Sequence, residues 1–285
     1  MKATPQLLLY GAVLMLIGLT ANARTNQFFA FDNGVGRGEW SPAKQARTLR
    51  ELGYAGIGFT GTGDISNRLA ACRAEDLKIF SLYVHGFIEK PVRFEPGLTN
   101  ALRQLRGTDA IIWLTVREIK GEHDVEAAQL VREVADLAAA EGGLRVVLYP
   151  HKGFYVATAD DAFRVLRQVN RTNVGVSLNL CHELMSGNGD RLPEIIRECG
   201  SKLWLVSING ADRGTTAEQT IKVLGEGSFD VRGFLHQLDV AGYAGPIGLQ
   251  CFNLKGDPEE NLRRSIAAWR QLMNASQGAP HNATR

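Results

Sequence analysis

From residue 28 onward, short apolar runs and helix-patterned stretches alternate without a break. No other feature constrains the fold as strongly. The apolar runs occupy residues 28–31, 56–59, 78–84, 110–116, 145–149, 174–180, 202–208 and 246–252. Helical patterns fall between them at 42–52, 65–75, 98–105, 125–140, 159–168, 191–198 and 231–241, and one over 258–272 closes the series. Strands that alternate with helices form a parallel sheet, because each crossover helix returns the chain to the same edge. Eight such units in about 225 residues predict an α/β fold closed into one (βα)8 barrel. An open doubly wound sheet is the alternative. Ser41-Pro42 and Asp257-Pro258 read as helix starts, and Gly53 and Gly200 as helix ends.

The segment before the first run reads differently. Lys2, an apolar stretch over residues 7–19 and Ala21-Asn22-Ala23 have the pattern of a signal peptide with an A-x-A cleavage site. Residues 1–23 are therefore expected to be a leader, 24–273 the barrel domain and 274–285 a flexible tail. The apolar stretch is short of the roughly 20 residues that a spanning helix needs. The expected location is exported, periplasmic or secreted, with no stable membrane insertion after cleavage. Four cysteines (Cys72, Cys181, Cys199, Cys251) are too few for a disulfide scaffold, and no two have metal-ligand spacing. Lys and Arg number 32 against 30 Asp and Glu, a net charge of +2. That balance offers no electrostatic case for nucleic acid.

Alternation within each run separates barrel-facing from helix-facing side chains. Gly175, Ser177 and Asn179 share one face of the sixth run, and a wall of valine and leucine shares the other. The small polar set is expected inside. The same parity turns Ser81, Tyr83 and His85 inward and Phe80, Leu82 and Val84 outward. It directs Asp32, Thr60, Arg117, Tyr149, His151, Ser207, Asn209, Gly248 and Gln250 towards the barrel axis. Strand C-termini form the catalytic mouth of such barrels. The expected mouth then holds Asp32, His85, Arg117, Tyr149, His151, Asn179, His182, Asn209 and Gln250.

Four passages carry a resemblance: Leu148-Tyr-Pro-His-Lys-Gly153, Ser177-Leu-Asn-Leu-Cys-His-Glu183, Val206-Ser-Ile-Asn-Gly210 and Gly245-Pro-Ile-Gly-Leu-Gln250. Over roughly residues 28–272 the chain resembles the xylose isomerase-like TIM-barrel superfamily of sugar isomerases, epimerases, dehydratases and endonuclease IV. The resemblance implies a divalent metal held at the ends of strands five to eight, with two glutamates as acid and base. Carried onto this sequence, the first Glu falls on Tyr149, followed by a retained His151. The Asp falls on Asn179, followed by a retained His182. The strand-seven His falls on Ser207 and the final Glu on Gln250.

Those four replacements remove the anionic ligands that divalent cations need, and glutamine cannot shuttle a proton. The usual family metal is therefore not expected. Two readings of the site stay open. In the first, His151, His182 and His85 are catalytic, and Asp32, Arg117, Tyr149, Asn179, Asn209 and Gln250 bind substrate. The reaction is isomerisation, epimerisation or elimination next to a carbonyl of a sugar or oxidised sugar derivative. A three-histidine metal site at His85, His151 and His182 is a variant of that reading. In the second, the protein binds carbohydrate without turnover. Either way the partner is a small carbohydrate, and the sequence leaves the oligomeric state open. The glycine-rich stretch Gly34-Val-Gly-Arg-Gly38 lacks phosphate-loop spacing and reads as a loop at the mouth. Trp40 reads as either a sugar-stacking ring or a buried anchor. Trp113, Trp204 and Trp269 read as core.

Overall fold

The computed structural model describes residues 26–117 and 120–276. The segment read as a leader, Glu118 and the end of the segment read as a tail lie outside those residues. The order is β1 (Phe28–Phe31), α1 (Pro42–Leu52), β2 (Gly56–Thr60), α2 (Ile65–Ala74), β3 (Lys78–Gly86), α3 (Leu98–Gln104), β4 (Ile111–Val116) and α4 (Asp124–Leu137). Then come β5 (Arg145–Leu148), α5 (Ala159–Val169), β6 (Val174–Asn179), α6 (Leu180–Met185), α7 (Leu192–Cys199) and β7 (Leu203–Ile208). The last elements are α8 (Ala217–Thr220), α9 (Val231–Val240), β8 (Ile247–Leu249) and α10 (Pro258–Ser276). Each strand pairs in parallel with the next, and β8 pairs with β1, Phe28 opposite Ile247, to close the barrel. Among the described residues no helix is long and apolar enough to cross a membrane.

The strands are apolar on both sides because both sides are covered. Valine, leucine and isoleucine point out under the helices and form the larger core. Inside the barrel lie Phe29, Phe31, Phe80, Ile111, Trp113, Val147, Tyr149 and Leu205. Glycine makes room for the large inner rings. A Cβ on Gly248 would stand 2.5 Å from the Phe31 ring and 2.7 Å from Phe29. The closing helix α10 docks on β1 through Trp269, stacked on Phe28 at 4.2 Å. The Tyr54 hydroxyl donates to the Leu262 carbonyl at 2.8 Å and ties the same helix to the segment after α1.

Helix ends follow the signals in the sequence. The Ser41 Oγ accepts from the Lys44 N–H, Asp230 caps α9 by accepting from the Gly233 N–H, and Gly53 ends α1 at φ 89°. All four cysteines are free and buried.

Four placements differ from the sequence reading. Phe80 was expected outside. It is the extra residue of a β-bulge, since Ile57 pairs with Ile79 but Gly58 pairs with Ser81. The bulge breaks the alternation and lets Phe80 stack on Phe29 inside the barrel at 4.7 Å. The sixth strand stops at Asn179 rather than Leu180, because α6 starts at once. Trp204 is half-buried at the N-terminal end of the barrel rather than core, its indole N–H donating to the Ser201 carbonyl. The last helix runs to Ser276, into the segment read as tail.

Candidate active site

The C-terminal ends of the strands surround a cavity of about 400 Å³. Its floor is aromatic. Trp113 and Tyr149 stack at 3.8 Å with rings 6° from parallel, and Phe31 stacks on Trp113 at 4.4 Å. The Trp113 indole N–H donates to the Ser177 Oγ at 2.7 Å, which in turn donates to the Leu148 carbonyl. The inward polar face of β6 thus orients a ring of β4.

Tyr149 leaves the end of β5 fully buried. Its phenol oxygen lies 3.1 Å from Nε2 of His182. His182 sits in the first turn of α6 and is 5% exposed. The Lys152 backbone N–H donates to its Nδ1 at 3.3 Å. A ring nitrogen that accepts from an amide carries no proton, so the neutral ring holds its hydrogen on Nε2 and gives it to Tyr149. Burial, and then the charge of His151, hold the His182 pKa well below the ordinary value. Burial pushes the Tyr149 phenol well above its usual range, while the Gln250 side chain within hydrogen-bonding reach opposes that shift. Tyr149 is therefore a protonated phenol whose oxygen receives donors.

His151 follows Pro150 on the loop after β5. Its Nδ1–H donates to the Lys152 carbonyl at 2.9 Å, which leaves the neutral lone pair on Nε2. Its ring lies 4.2 Å from that of His182 and stacks on Phe154 at 4.0 Å. One residue, Lys152, thus fixes both imidazoles, one through its N–H and one through its carbonyl.

The remaining expected residues divide. His85 lines the cavity, its Nδ1 3.0 Å from the Thr115 Oγ1. Gln250 also lines it, but its Oε1 accepts from Asn33 Nδ2 and from the Cys251 and Phe252 N–H groups. Asn179 is fully buried below the cavity, donating to the Pro150 carbonyl at 2.9 Å and accepting from Ser207 Oγ at 3.0 Å. Asn209 is fully buried too. It donates to the Gly210 and Thr220 carbonyls and so anchors the loop that carries Ile221 to the cavity wall.

Arg117 lies over the Phe154 ring at 3.9 Å, and neither residue is among those that line the cavity. Asp32 was expected on the inner face. The inner face of β1 instead continues Phe29, Phe31, Asn33, and Asp32 turns away in a 3-10 turn, 2% exposed. Its carboxylate accepts from the Thr60 N–H and Oγ1, both at 2.8 Å. Burial raises its pKa, while the Thr60 hydrogen bonds, Arg37 and Arg68 oppose the shift.

The sequence reading passed over Asn33, Arg37 and Trp113 as site residues, and all three line the cavity. Parity held the signal for Asn33 and Trp113. Asn33 shares a face with Phe31, and Trp113 with Thr115. Arg37 lies on the glycine-rich loop, where no periodicity applies. Trp40 anchors that loop: it packs on the outer core, and Gly36 at φ 56° fits against its ring.

The profile of the xylose isomerase-like TIM-barrel family matches residues 101–272. This chain belongs to that family. A curated relative, 3-dehydroshikimate dehydratase of Pseudomonas aeruginosa, is 30% identical over 165 residues, 53% of this chain and 25% of the relative. The chain thus spans about a quarter of that relative's length. D-allulose 3-epimerase from Methylomonas sp. superposes with a TM-score of 0.67 at 17% identity, over 87% of this chain and 98% of that one. 3-Keto-D-glucoside 4-epimerase from E. coli gives 0.68 at 16% identity, over 86% and 99%. At these identities the two structures show the shared fold.

The family's divalent metal does not fit the residues this xylose isomerase-like barrel presents. At the four ligand positions stand a phenol, two amides and a hydroxyl, and Asn179, Ser207 and Gln250 spend their oxygens or hydrogens on protein groups. The three-histidine variant fails as well. Phe154 lies between His151 and His85, at 4.0 and 6.4 Å from their rings. Among the described residues no three His, Cys, Asp or Glu side chains converge on one point.

Proposed function

We propose that this protein is a carbohydrate-acting enzyme that moves or eliminates a proton next to a carbonyl of a sugar or oxidised sugar derivative. The observation that carries the proposal is the 3.1 Å pair of Tyr149 and His182 beside His151 on the cavity wall. The Nε2 lone pair of His151 takes the proton from the carbon next to the carbonyl. The Tyr149 O–H donates to the carbonyl oxygen as charge gathers there, and the His182 N–H supports the phenol oxygen from behind. The proton then returns to a different carbon or face, which isomerises or epimerises the substrate. Alternatively a hydroxyl on the next carbon leaves with a proton as water, which is elimination. The dehydratase relative and the two epimerase folds are consistent with either outcome.

The enzyme works after export on this reading, which rests on Lys2, the apolar stretch and Ala21-Asn22-Ala23. The test is proton exchange in D₂O, followed by NMR, against keto-sugars, uronic acids and 3-dehydroshikimate. Deuterium at a carbon next to a carbonyl, absent in His151→Ala, is the expected result. Binding without exchange would select the carbohydrate-binding reading instead.

A further inference from the structure

We infer that the substrate of this site carries an anionic group, a carboxylate or a phosphate, gripped between Arg37 and Lys152. The inference rests on the proposed use of the cavity as the substrate site. Among the described residues that line the cavity there is no carboxylate, while Arg37 and Lys152 are both there. They approach from opposite rims. Arg37 follows β1, Lys152 follows β5, and these strands face one another across a closed eight-stranded barrel.

Arg37 is held in place before any ligand arrives. Its Nη1 donates to the Thr60 Oγ1 at 3.1 Å and lies 3.7 Å from the Asp32 carboxylate. Asp32 faces two cations, Arg37 and Arg68, and Arg68 also faces Asp64, so Arg37 is not left alone to neutralise Asp32. Arg37 remains 44% exposed and open to the mouth. Lys152 is exposed, makes no ion pair among the described residues, and has its backbone tied to both imidazoles. Between the two cations lies the aromatic floor of Phe31, Trp113 and Tyr149. An apolar floor with two cationic rims suits a small ring bearing a negative charge better than an uncharged polyol, since hydrogen bonds to the two cations are stronger from an anion and flat rings offer few partners to hydroxyls. Asp32 and Thr60 are positioning residues in this account.

Trp113 in the floor supplies a fluorescence signal for the test. D-Glucose, D-glucuronate and D-glucose 6-phosphate are titrated into the wild type, Arg37→Gln, Lys152→Gln and the double variant, at low and high salt. The expected result is at least tenfold tighter binding of one or both acids than of glucose. That preference falls about threefold in each single variant, vanishes in the double variant and weakens with salt. Which acid is preferred tells carboxylate from phosphate. Equal affinity for all three probes, binding of none, or a preference that survives in the double variant overturns the inference. Deuterium exchange into a substrate without any preference for the acids overturns this inference alone. Preference for an acid without exchange into any substrate leaves the anion site standing and overturns the proposed reaction.

Discussion

The phenol oxygen of Tyr149 and the Nε2 of His182 stand 3.1 Å apart at the base of the barrel mouth, on positions where the family resemblance implies a glutamate and a histidine. The His182 N–H donates to a phenol where the resemblance implies a carboxylate. Gln250, on the position of the second glutamate, lies beside the same phenol and opposes the rise that burial imposes on its pKa. The replacements are mutually consistent, each a neutral group satisfied by its neighbours.

Tyr149→Phe keeps the ring stacked on Trp113 and removes only the O–H. It should lower kcat by about 10²–10⁴-fold if the phenol is the acid. It should also cost about 1 kcal/mol of stability, because the His182 N–H loses its partner. Steady-state kinetics and urea unfolding separate the two effects. Full activity in the variant would remove the phenol from the chemistry.

His151→Ala and His182→Ala should differ in kind. His151 is half-buried at the wall and His182 is almost fully buried, with both ring nitrogens engaged. The first should abolish exchange while the unfolding midpoint stays near wild type. The second should abolish exchange and also destabilise the protein by about 2–4 kcal/mol through a cavity and two lost hydrogen bonds. Equal stability losses in the two variants would contradict the burial difference.

His182 also sets a pH dependence of stability. Its folded pKa is held well below that of an unfolded histidine, about 6.5. The unfolded chain therefore binds this proton more tightly than the folded chain. The stability tied to the neutral ring is complete above about pH 6.5 and is lost as pH falls from there towards the folded pKa. Asp32 and Glu183, whose pKa values burial raises, act in the opposite direction, but wild type and variant share them. His182→Gln should lose less stability than wild type between pH 7 and pH 5, as measured by urea unfolding. An identical loss would mean that His182 is charged in the folded protein.

Gly248→Ala tests the packing of the barrel interior. The added Cβ meets Phe31 at 2.5 Å and Phe29 at 2.7 Å, with both rings boxed in by Trp113 and Phe80. Overpacking of this kind costs about 1–3 kcal/mol. A melting temperature equal to that of wild type would show that the inner rings can yield.

Chelator treatment should leave turnover and melting temperature unchanged, because the residues at the family's ligand positions bind one another. Elemental analysis of untagged protein should give less than stoichiometric Zn, Mn, Co and Fe. A stoichiometric metal lost in the His151→Ala/His182→Ala double variant would overturn this expectation.

The sequence by itself determined the architecture. Eight apolar runs alternating with eight helical patterns leave the chain few options, since a parallel strand must be buried on both faces and the next strand needs a crossover helix. Period-two alternation also set the inner face of β6, where Ser177 and Asn179 do point inward beneath the cavity. Alternation failed where the backbone is irregular. The bulge at Phe80 shifts the count by one residue and leaves no compositional mark, and in β1 phenylalanine stands on both faces, so the count had no polarity to say that Asp32 lies on the outer one. The short helix α8 has too few residues for a period to show.

What the tertiary structure alone decided is which polar groups are already spent. Asn179 and Asp32 look like ligand-binding residues in one dimension, but both are consumed by protein partners from other strands and loops, and the Asn209 amide N–H groups are spent on the Gly210 and Thr220 carbonyls. The pairing of Tyr149 with His182, and the hold of Lys152 on two imidazoles, depend on distances between β5 and α6 that no local pattern encodes. Hydrogen bonds reach about 3 Å, and the sequence separation of the groups they join is set by the fold.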